Sequence, residues 1–195
     1  MNKPVILLIL STLGLTAAPA ALAQDANGSG WFVGGYAGRA SIDKDDYNGS
    51  DTGYGIAGGY RWGLFEWLSL GVEVGYNDLG NIKASNLFNG DEVVQDTSKL
   101  RGWTVGINQR FNFSPRWYAS LHGGLYGWKG HGLSNDDVFE SRSDLDRVSW
   151  YAGAGVGYNV TDRFSIGANY DHFDAKKFDV DLSTNLASIS AEYRF

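Results

Sequence analysis

The sequence predicts an all-β chain, an eight-stranded antiparallel up-and-down transmembrane β-barrel. Three observations carry that prediction. Apolar and polar residues alternate with period two along most of the chain, while helical periodicity is hard to find. The connections between alternating segments are short and long in turn, the rhythm of an even-numbered barrel with turns at one rim and loops at the other. Glycines gather on the polar face, and aromatic residues gather at the ends of the apolar face. Composition agrees. There are 27 Gly in 195 residues, roughly twice the ~7% of an average protein. The 43% hydrophobic content excludes disorder. The absence of Cys excludes a disulfide scaffold, a thiolate nucleophile and a zinc ribbon. A net charge of −6 argues against nucleic-acid binding.

Residues 1–23 read as a secretory signal peptide. Lys3 supplies the positive start, Val5–Leu15 a short apolar run, and Ala21-Leu22-Ala23 a small-x-small cleavage site. Residues 24–195 then form one barrel domain. No later stretch approaches the ~18 apolar residues of a spanning helix, so any crossing must be by strands.

The strands follow in order. Trp31–Ala40 is the weakest, and its register stays open. Tyr54–Trp62 is glycine-rich. Trp67–Asn77 is the clearest, with Leu68, Leu70, Val72, Val74 and Tyr76 facing one way and Ser69, Gly71, Glu73, Gly75 and Asn77 the other. Gly102–Phe113 repeats the pattern, and Trp117–Trp128 fits with more glycine. Ser149–Val160, Phe164–Asp171 and Ala187–Phe195 complete the set. The short connections are Gly63–Glu66, Ser114–Arg116 and Thr161–Arg163. The long polar ones are Ser41–Thr52, Asp78–Lys99, Lys129–Asp146 and Asp174–Thr184. Pro115, the sole proline after residue 23, falls in a short turn where no ladder bond is lost.

A soluble ligand-carrying barrel would point its apolar face inward. The sequence favours the inverse. Gly55, Gly59, Gly71, Gly75, Gly106, Gly124, Gly153, Gly155, Gly157 and Gly167 share the polar face, leaving room for Tyr36, Arg61, Tyr118 and His122 inside a narrow lumen. Tyr60, Trp62, Phe111, Phe113, Tyr158, Phe164 and Phe195 lie near the short turns. Tyr76, Trp103 and Trp150 lie near the long loops, so two interfacial girdles are expected. The sequence ends at Phe195 on a strand, with no soluble tail after it.

Several motifs in order resemble the transmembrane domain of outer membrane protein A and its small barrel relatives in Gram-negative bacteria. They are Gly58-Gly59-Tyr60, Val72-Glu73-Val74-Gly75-Tyr76 with Leu79-Gly80, His122-Gly123-Gly124-Leu125, Ala152-Gly153-Ala154-Gly155-Val156, and Tyr193-Arg194-Phe195. The resemblance spans Trp31–Phe195 and implies the cell outer membrane as the location. It implies that Phe195, with Tyr193, Ala191 and Ile189 alternating behind it, is the insertion signal read by the assembly machinery through strand addition. The family's peptidoglycan-binding domain has no counterpart after Phe195.

Arg61, Glu73, Arg110, His122, Asp171, Glu192 and Arg194 are expected to form a lumen charge cluster, paired because unpaired charges there are costly. The family is thought to use such a cluster as a gate, and Glu73 matches one acidic member. Its partner positions here are Asn108, Gly167 and Gly157, so that gate is not preserved: either Glu73 pairs with a different Arg or conduction differs. Some eight-stranded barrels deacylate lipid A with a His-x-Ser pair. None of His122, His131 and His172 offers that spacing, and Tyr170-Asp171-His172 is the nearest candidate for a set assembled across strands.

The long loops are acidic. Asp43, Asp45, Asp46 and Asp51 outnumber Lys44 in the first, where Tyr47 spoils a calcium-loop pattern. Asp136, Asp137, Glu140, Asp144 and Asp146 outnumber Lys129 and Arg142 in the third. No cofactor fingerprint or metal-spaced His set is present. The expected function is that of a non-enzymatic outer-membrane barrel serving envelope integrity or surface interaction through these loops. A small or gated pore comes second and lipid A chemistry third. The expected partners are outer-membrane lipid and lipopolysaccharide, the barrel assembly machinery and periplasmic chaperones, and an external surface ligand. A monomer is expected, without nucleic acid.

Overall fold

A computed structural model describes residues 29–44, 47–83, 97–131, 145–177 and 180–195. The signal-peptide segment lies outside them. The elements are β1 (Gly30–Lys44), β2 (Tyr47–Phe65), β3 (Leu68–Lys83), β4 (Thr97–Asn112), β5 (Trp117–His131), β6 (Leu145–Asn159), β7 (Phe164–Phe173), β8 (Lys176–Lys177), β9 (Val180–Asp181) and β10 (Thr184–Arg194). Eight strands close a barrel in the order β1-β10-β7-β6-β5-β4-β3-β2, and β8 and β9 form a separate two-stranded hairpin. All eight barrel neighbours pair antiparallel. Closure satisfies every strand edge, which a sheet in hydrocarbon requires.

The register fixes the stagger. Phe32 pairs with Gly59, and the row continues through Glu73, Gly106, Gly124, Tyr151 and Phe173 to Thr184 on β10. Phe32 itself pairs with Arg194, ten residues from Thr184 along the same strand. That offset is the shear of a tilted, closed sheet. The row mixes bulky side chains (Phe32, Glu73, Tyr151, Phe173) with glycines (Gly59, Gly106, Gly124), which leaves room for the large ones in a narrow interior.

The apolar face is the outer one. Val33, Ile56, Val74, Ile107, Val156 and Ile166 are all exposed, and Ile189 is 74% exposed. So large an apolar wall belongs in lipid. Rings band its turn-side end: Trp31 packs edge-on against Tyr60 at 5.3 Å, Trp117 against Tyr158 at 5.1 Å, and Tyr193 against Phe195 at 5.2 Å. Tyr54, Tyr76, Trp103, Trp150 and Tyr170 are exposed on the wall towards the loop side. β1 takes the register in which Phe32, Tyr36 and Ala40 point inward while Trp31 and Val33 face out.

Three connections are shorter than the sequence suggests. Ser41–Thr52 is not a loop: the β1–β2 ladder runs through Ser41↔Ser50 and Asp43↔Asn48 to Lys44↔Tyr47, leaving only 45–46 outside the described residues. Strands β3 and β4 likewise continue to Lys83↔Thr97, and β5 and β6 to Gly130↔Leu145. These extensions pass beyond the lipid-facing wall, where the outward face no longer needs to be apolar, so the alternation of the wall no longer marks them. On β3 the extension begins with a bulge between Asp78 and Asn81. Gly80 adopts φ +81° there, a conformation that favours glycine. Asp78 Oδ1 accepts the Gly80 N–H at 3.0 Å, and Asp51 Oδ2 accepts the Asn81 N–H at 2.7 Å. Between β7 and β10 the connection carries the β8–β9 hairpin.

Candidate functional site

Because the wall faces lipid, function must reside in the lumen, on the outer surface or in the connections. The lumen has two layers. On the turn side, β2 places Arg61, β3 Glu73, β4 Asn108 and Arg110, and β10 Glu192 and Arg194, all at inward positions of the alternation. Arg61 donates from Nη1 and Nη2 to the two Glu192 oxygens at 2.9 and 3.0 Å, a bidentate pair. Its Nε donates to Asn108 Oδ1 at 2.9 Å, and its guanidinium lies 4.1 Å above the Phe32 ring. Arg110 Nη1 donates to the same Glu192 Oε1 at 2.9 Å. Its Nη2 donates to Asn159 Oδ1, and its guanidinium stacks 3.4 Å above Tyr118. Arg194 Nη2 reaches Asn159 Oδ1 at 3.4 Å.

Glu73 does not take a different Arg. Asn108 Nδ2 donates to one of its oxygens at 3.0 Å and the Tyr151 hydroxyl to the other at 2.8 Å. Asn108, a neutral side chain, thus bridges Arg61 to Glu73 through two charge-assisted hydrogen bonds. Farther round the wall, His122 Nε2 and Asp171 Oδ1 bond across β5 and β7. They meet because Gly153 separates them on β6, paired in register with both. A Cβ at Gly153 would collide with both side chains.

On the loop side the lumen turns apolar. Leu79, Leu100, Tyr126, Trp128, Tyr151, Phe173, Leu186 and Ala40 form a buried cluster. Ala175 and Leu182, flanking the β8–β9 hairpin, complete it at 0% exposure. The Leu182 N–H donates to Ala175 O at 2.9 Å, the Asp174 N–H to Trp150 O at 3.0 Å, and Ser149 Oγ to Asp174 Oδ2, so the hairpin's base is fastened to β6. The sequence reading placed glycines, charges, Tyr36 and Tyr118 in the lumen and did not anticipate this apolar half. Between the layers lies a cavity of about 100 Å³, lined by Tyr36, Thr104, Ser120 and Asn169 among others. It has room for a few water molecules.

The outer surface holds the remaining candidates. Ile189, Ala191 and Tyr193 face outward on β10, the strand that closes against β1, and Phe195 follows directly after it, exposed. The Phe195 N–H donates to Trp31 O at 3.0 Å. His172 also points out, its Nδ1 2.8 Å from Asn185 Oδ1 and its ring 5.2 Å from that of Trp150. Its neighbours in register are Ala152 and Asn185, neither a nucleophile. Asp171 faces the lumen, so Tyr170-Asp171-His172 does not assemble into one site. Among the described residues no group of three or more His, Cys, Asp or Glu is placed to hold a metal ion. Asp43, Asp45, Asp46 and the acids of 132–144 lie outside the residues whose side chains are described.

The family model for the outer membrane protein beta-barrel domain matches residues 7–195. No curated protein sequence matches the chain. Among solved structures, the attachment invasion locus protein Ail of Yersinia pestis is 20% identical, with a TM-score of 0.53 over 86% of this chain and 97% of that one. Neisserial surface protein A is 18% identical, with a TM-score of 0.52 over 86% and 99%. Outer membrane protein W of E. coli is 14% identical, with a TM-score of 0.50 over 85% and 98%. One Ail structure contains the heparin analogue sucrose octasulfate. At these identities the likeness is one of fold.

Proposed function

The chain belongs to the outer membrane protein β-barrel family, and from that premise we propose that it is a non-enzymatic envelope protein, a closed scaffold presenting acidic loops at the cell surface. The observation that carries this reading is closure of the lumen by two different chemistries. The Arg61–Glu192–Arg110 layer fills one end and the apolar cluster under Leu182 the other. An ion crossing the apolar layer would lose a hydration shell that the few polar atoms there, the Tyr126 hydroxyl, Trp128 Nε1 and the Asn77 amide, cannot replace. The barrel then serves as a rigid frame, and interaction falls to its lipid-facing wall and its loops, with lipopolysaccharide as the immediate neighbour.

The acidic loops bear on the external ligand. The heparin analogue bound by the Yersinia protein is a polyanion, and Asp-rich connections would repel one. A cationic surface, or one bridged by divalent cations, suits this chain better. Phe195, Tyr193, Ala191 and Ile189 are proposed to serve the assembly machinery, and deleting Phe195 should lower the yield in an outer-membrane fraction. The lumen charges are proposed to act as a structural plug in a monomeric barrel.

Planar-bilayer recording from purified protein tests the central reading. No channel events are expected above the lipid baseline, and stepwise conductance would establish the pore reading in its place. Lipid A mass profiles with and without the protein should coincide; a deacylated or acylated product would overturn the non-enzymatic assignment. Envelope permeability of a deletion strain, measured by uptake of a large antibiotic, should rise and be restored by the intact gene.

A further inference from the structure

The three short turns are unlike one another in a way the barrel itself does not require. Two have polar tips, each beside a single exposed apolar residue, Phe113 in one and Val160 in the other. In the β4–β5 turn, Ser114 Oγ accepts the Arg116 and Trp117 N–H groups at 3.3 and 3.0 Å. In the β6–β7 turn, Thr161 Oγ1 accepts the Arg163 and Phe164 N–H groups at 3.3 and 2.9 Å. Their tips expose Arg116, Asp162 and Arg163.

The β2–β3 turn differs in placing two consecutive exposed apolar side chains, Leu64 and Phe65, at its tip. The ladder shifts register between Gly63 and Phe65, so Leu64 is an extra residue, and two consecutive apolar side chains emerge. Leu64 is 51% exposed, Phe65 60% and Trp67 54%. Phe65 stacks on Trp67 at 5.6 Å with 7° between the planes, and Trp67 stacks on Phe111 of β4 at 6.5 Å. The Asn112 N–H donates to Trp67 O at 2.8 Å, which pins the turn to β4. The result is a rigid aromatic shelf. It is continuous with the lipid-facing wall, since Phe65 pairs with Leu68, the first residue of the β3 outer face.

We propose that the β2–β3 turn is a membrane-inserting tip: Leu64, Phe65 and Trp67 sit in the apolar layer of the inner leaflet, while the β4–β5 and β6–β7 turns stay in water. The occupant is lipid because the shelf continues a surface that already meets lipid, and a turn in water gains nothing from two adjacent apolar residues. Glu66 at the tip is exposed, so its carboxylate can remain among the headgroups. Burying one turn and not the other two tilts the barrel axis towards β2 and β3.

The chain lacks Cys, so single labels are unambiguous. Nitroxides on Leu64→Cys, Asp162→Cys and Val74→Cys, with the protein reconstituted in phospholipid bilayers, report collision with oxygen against a water-soluble nickel complex. The inference rests on the outward face meeting lipid, and Val74, 59% exposed at mid-wall, checks that premise separately. Leu64 should resemble Val74, with nickel collisions at least several-fold below those at Asp162. A Leu64 label as nickel-accessible as Asp162 would sink the proposal while leaving the barrel intact. Shielding of Leu64 from both reagents would assign the shelf to a protein partner or a second copy, and would also overturn it. An aqueous signal at Val74 would remove the membrane reading and this inference together.

Discussion

At the turn-side end of the lumen, two guanidiniums share one carboxylate; at the loop-side end, leucines and aromatic rings meet with no charge between them. Both ends occupy the same narrow cylinder, and both are filled by long side chains reaching across a staggered sheet. They would fail in different ways. An ionic layer fails when one member goes and a buried charge is left uncompensated. An apolar layer fails when a void opens, and its loss scales with the volume removed. Substitutions that leave barrel geometry alone should separate the two.

The largest effect is expected at Glu192. Glu192→Gln keeps the shape but leaves Arg61 and Arg110 without their common anion, which should cost about 3–5 kcal/mol. Urea unfolding in lipid vesicles, followed by loss of the fast-migrating folded band, gives the number. Replacing Arg61, Arg110 and Glu192 together with apolar residues of similar volume should recover most of the loss. If the triple variant is no better than the single one, the layer contributes more than charge compensation.

Next comes the loop-side layer. Leu182→Ala removes a fully buried side chain and should cost about 2–4 kcal/mol. Leu182→Met, nearly equal in volume, should cost less than about 1.5 kcal/mol. The same urea titration reads both. Equal losses for Ala and Met would mean that shape, not buried volume, governs this end.

The contrast also explains what the sequence disclosed and what it hid. Alternation marked the strands as long as outward positions were apolar and inward ones small or polar. It failed at Leu79, Leu100, Phe173 and Leu186, where inward positions become apolar and the contrast between faces disappears. The sequence reading therefore cut the strands at Asn77, Gly102, Asp171 and Ala187, and missed the plug beyond them. Tyr126 and Trp128 lay inside a recognised strand, but two aromatic residues on one face look the same whether they meet lipid or line a lumen. In the ionic layer, charge type identified Arg61, Arg110 and Glu192. Asn108, Tyr151 and Asn159 carried no such signal, because neutral polar residues take their meaning from the partner opposite, and register is not written in composition.

Between the two layers, His122 and Asp171 meet over Gly153. Gly153→Ala places a methyl group where both side chains pass, and should cost about 1–3 kcal/mol as overpacking. A double-mutant cycle with His122→Ala distinguishes mechanisms. If the cost comes from forcing the pair apart, Gly153→Ala should be nearly silent once the imidazole is gone. Additive losses would instead place the strain in the backbone of β6.

The smallest effect has the opposite sign and probes the apolar layer most finely. Asn77 is fully buried beside that layer, and neither its Oδ1 nor its Nδ2 finds a hydrogen-bond partner among the described residues. It is a polar residue of the turn-side kind at the border of the loop-side chemistry. An unsatisfied buried amide costs about 1–3 kcal/mol, and exchanging it for an apolar group of similar shape removes that cost. Asn77→Leu should therefore stabilise the barrel by roughly 1 kcal/mol, seen as a higher urea midpoint with unchanged slope. A lower midpoint would show that the amide is satisfied by an internal water. The boundary between the layers would then lie beyond Asn77, with the wet half of the lumen extending up to Trp128.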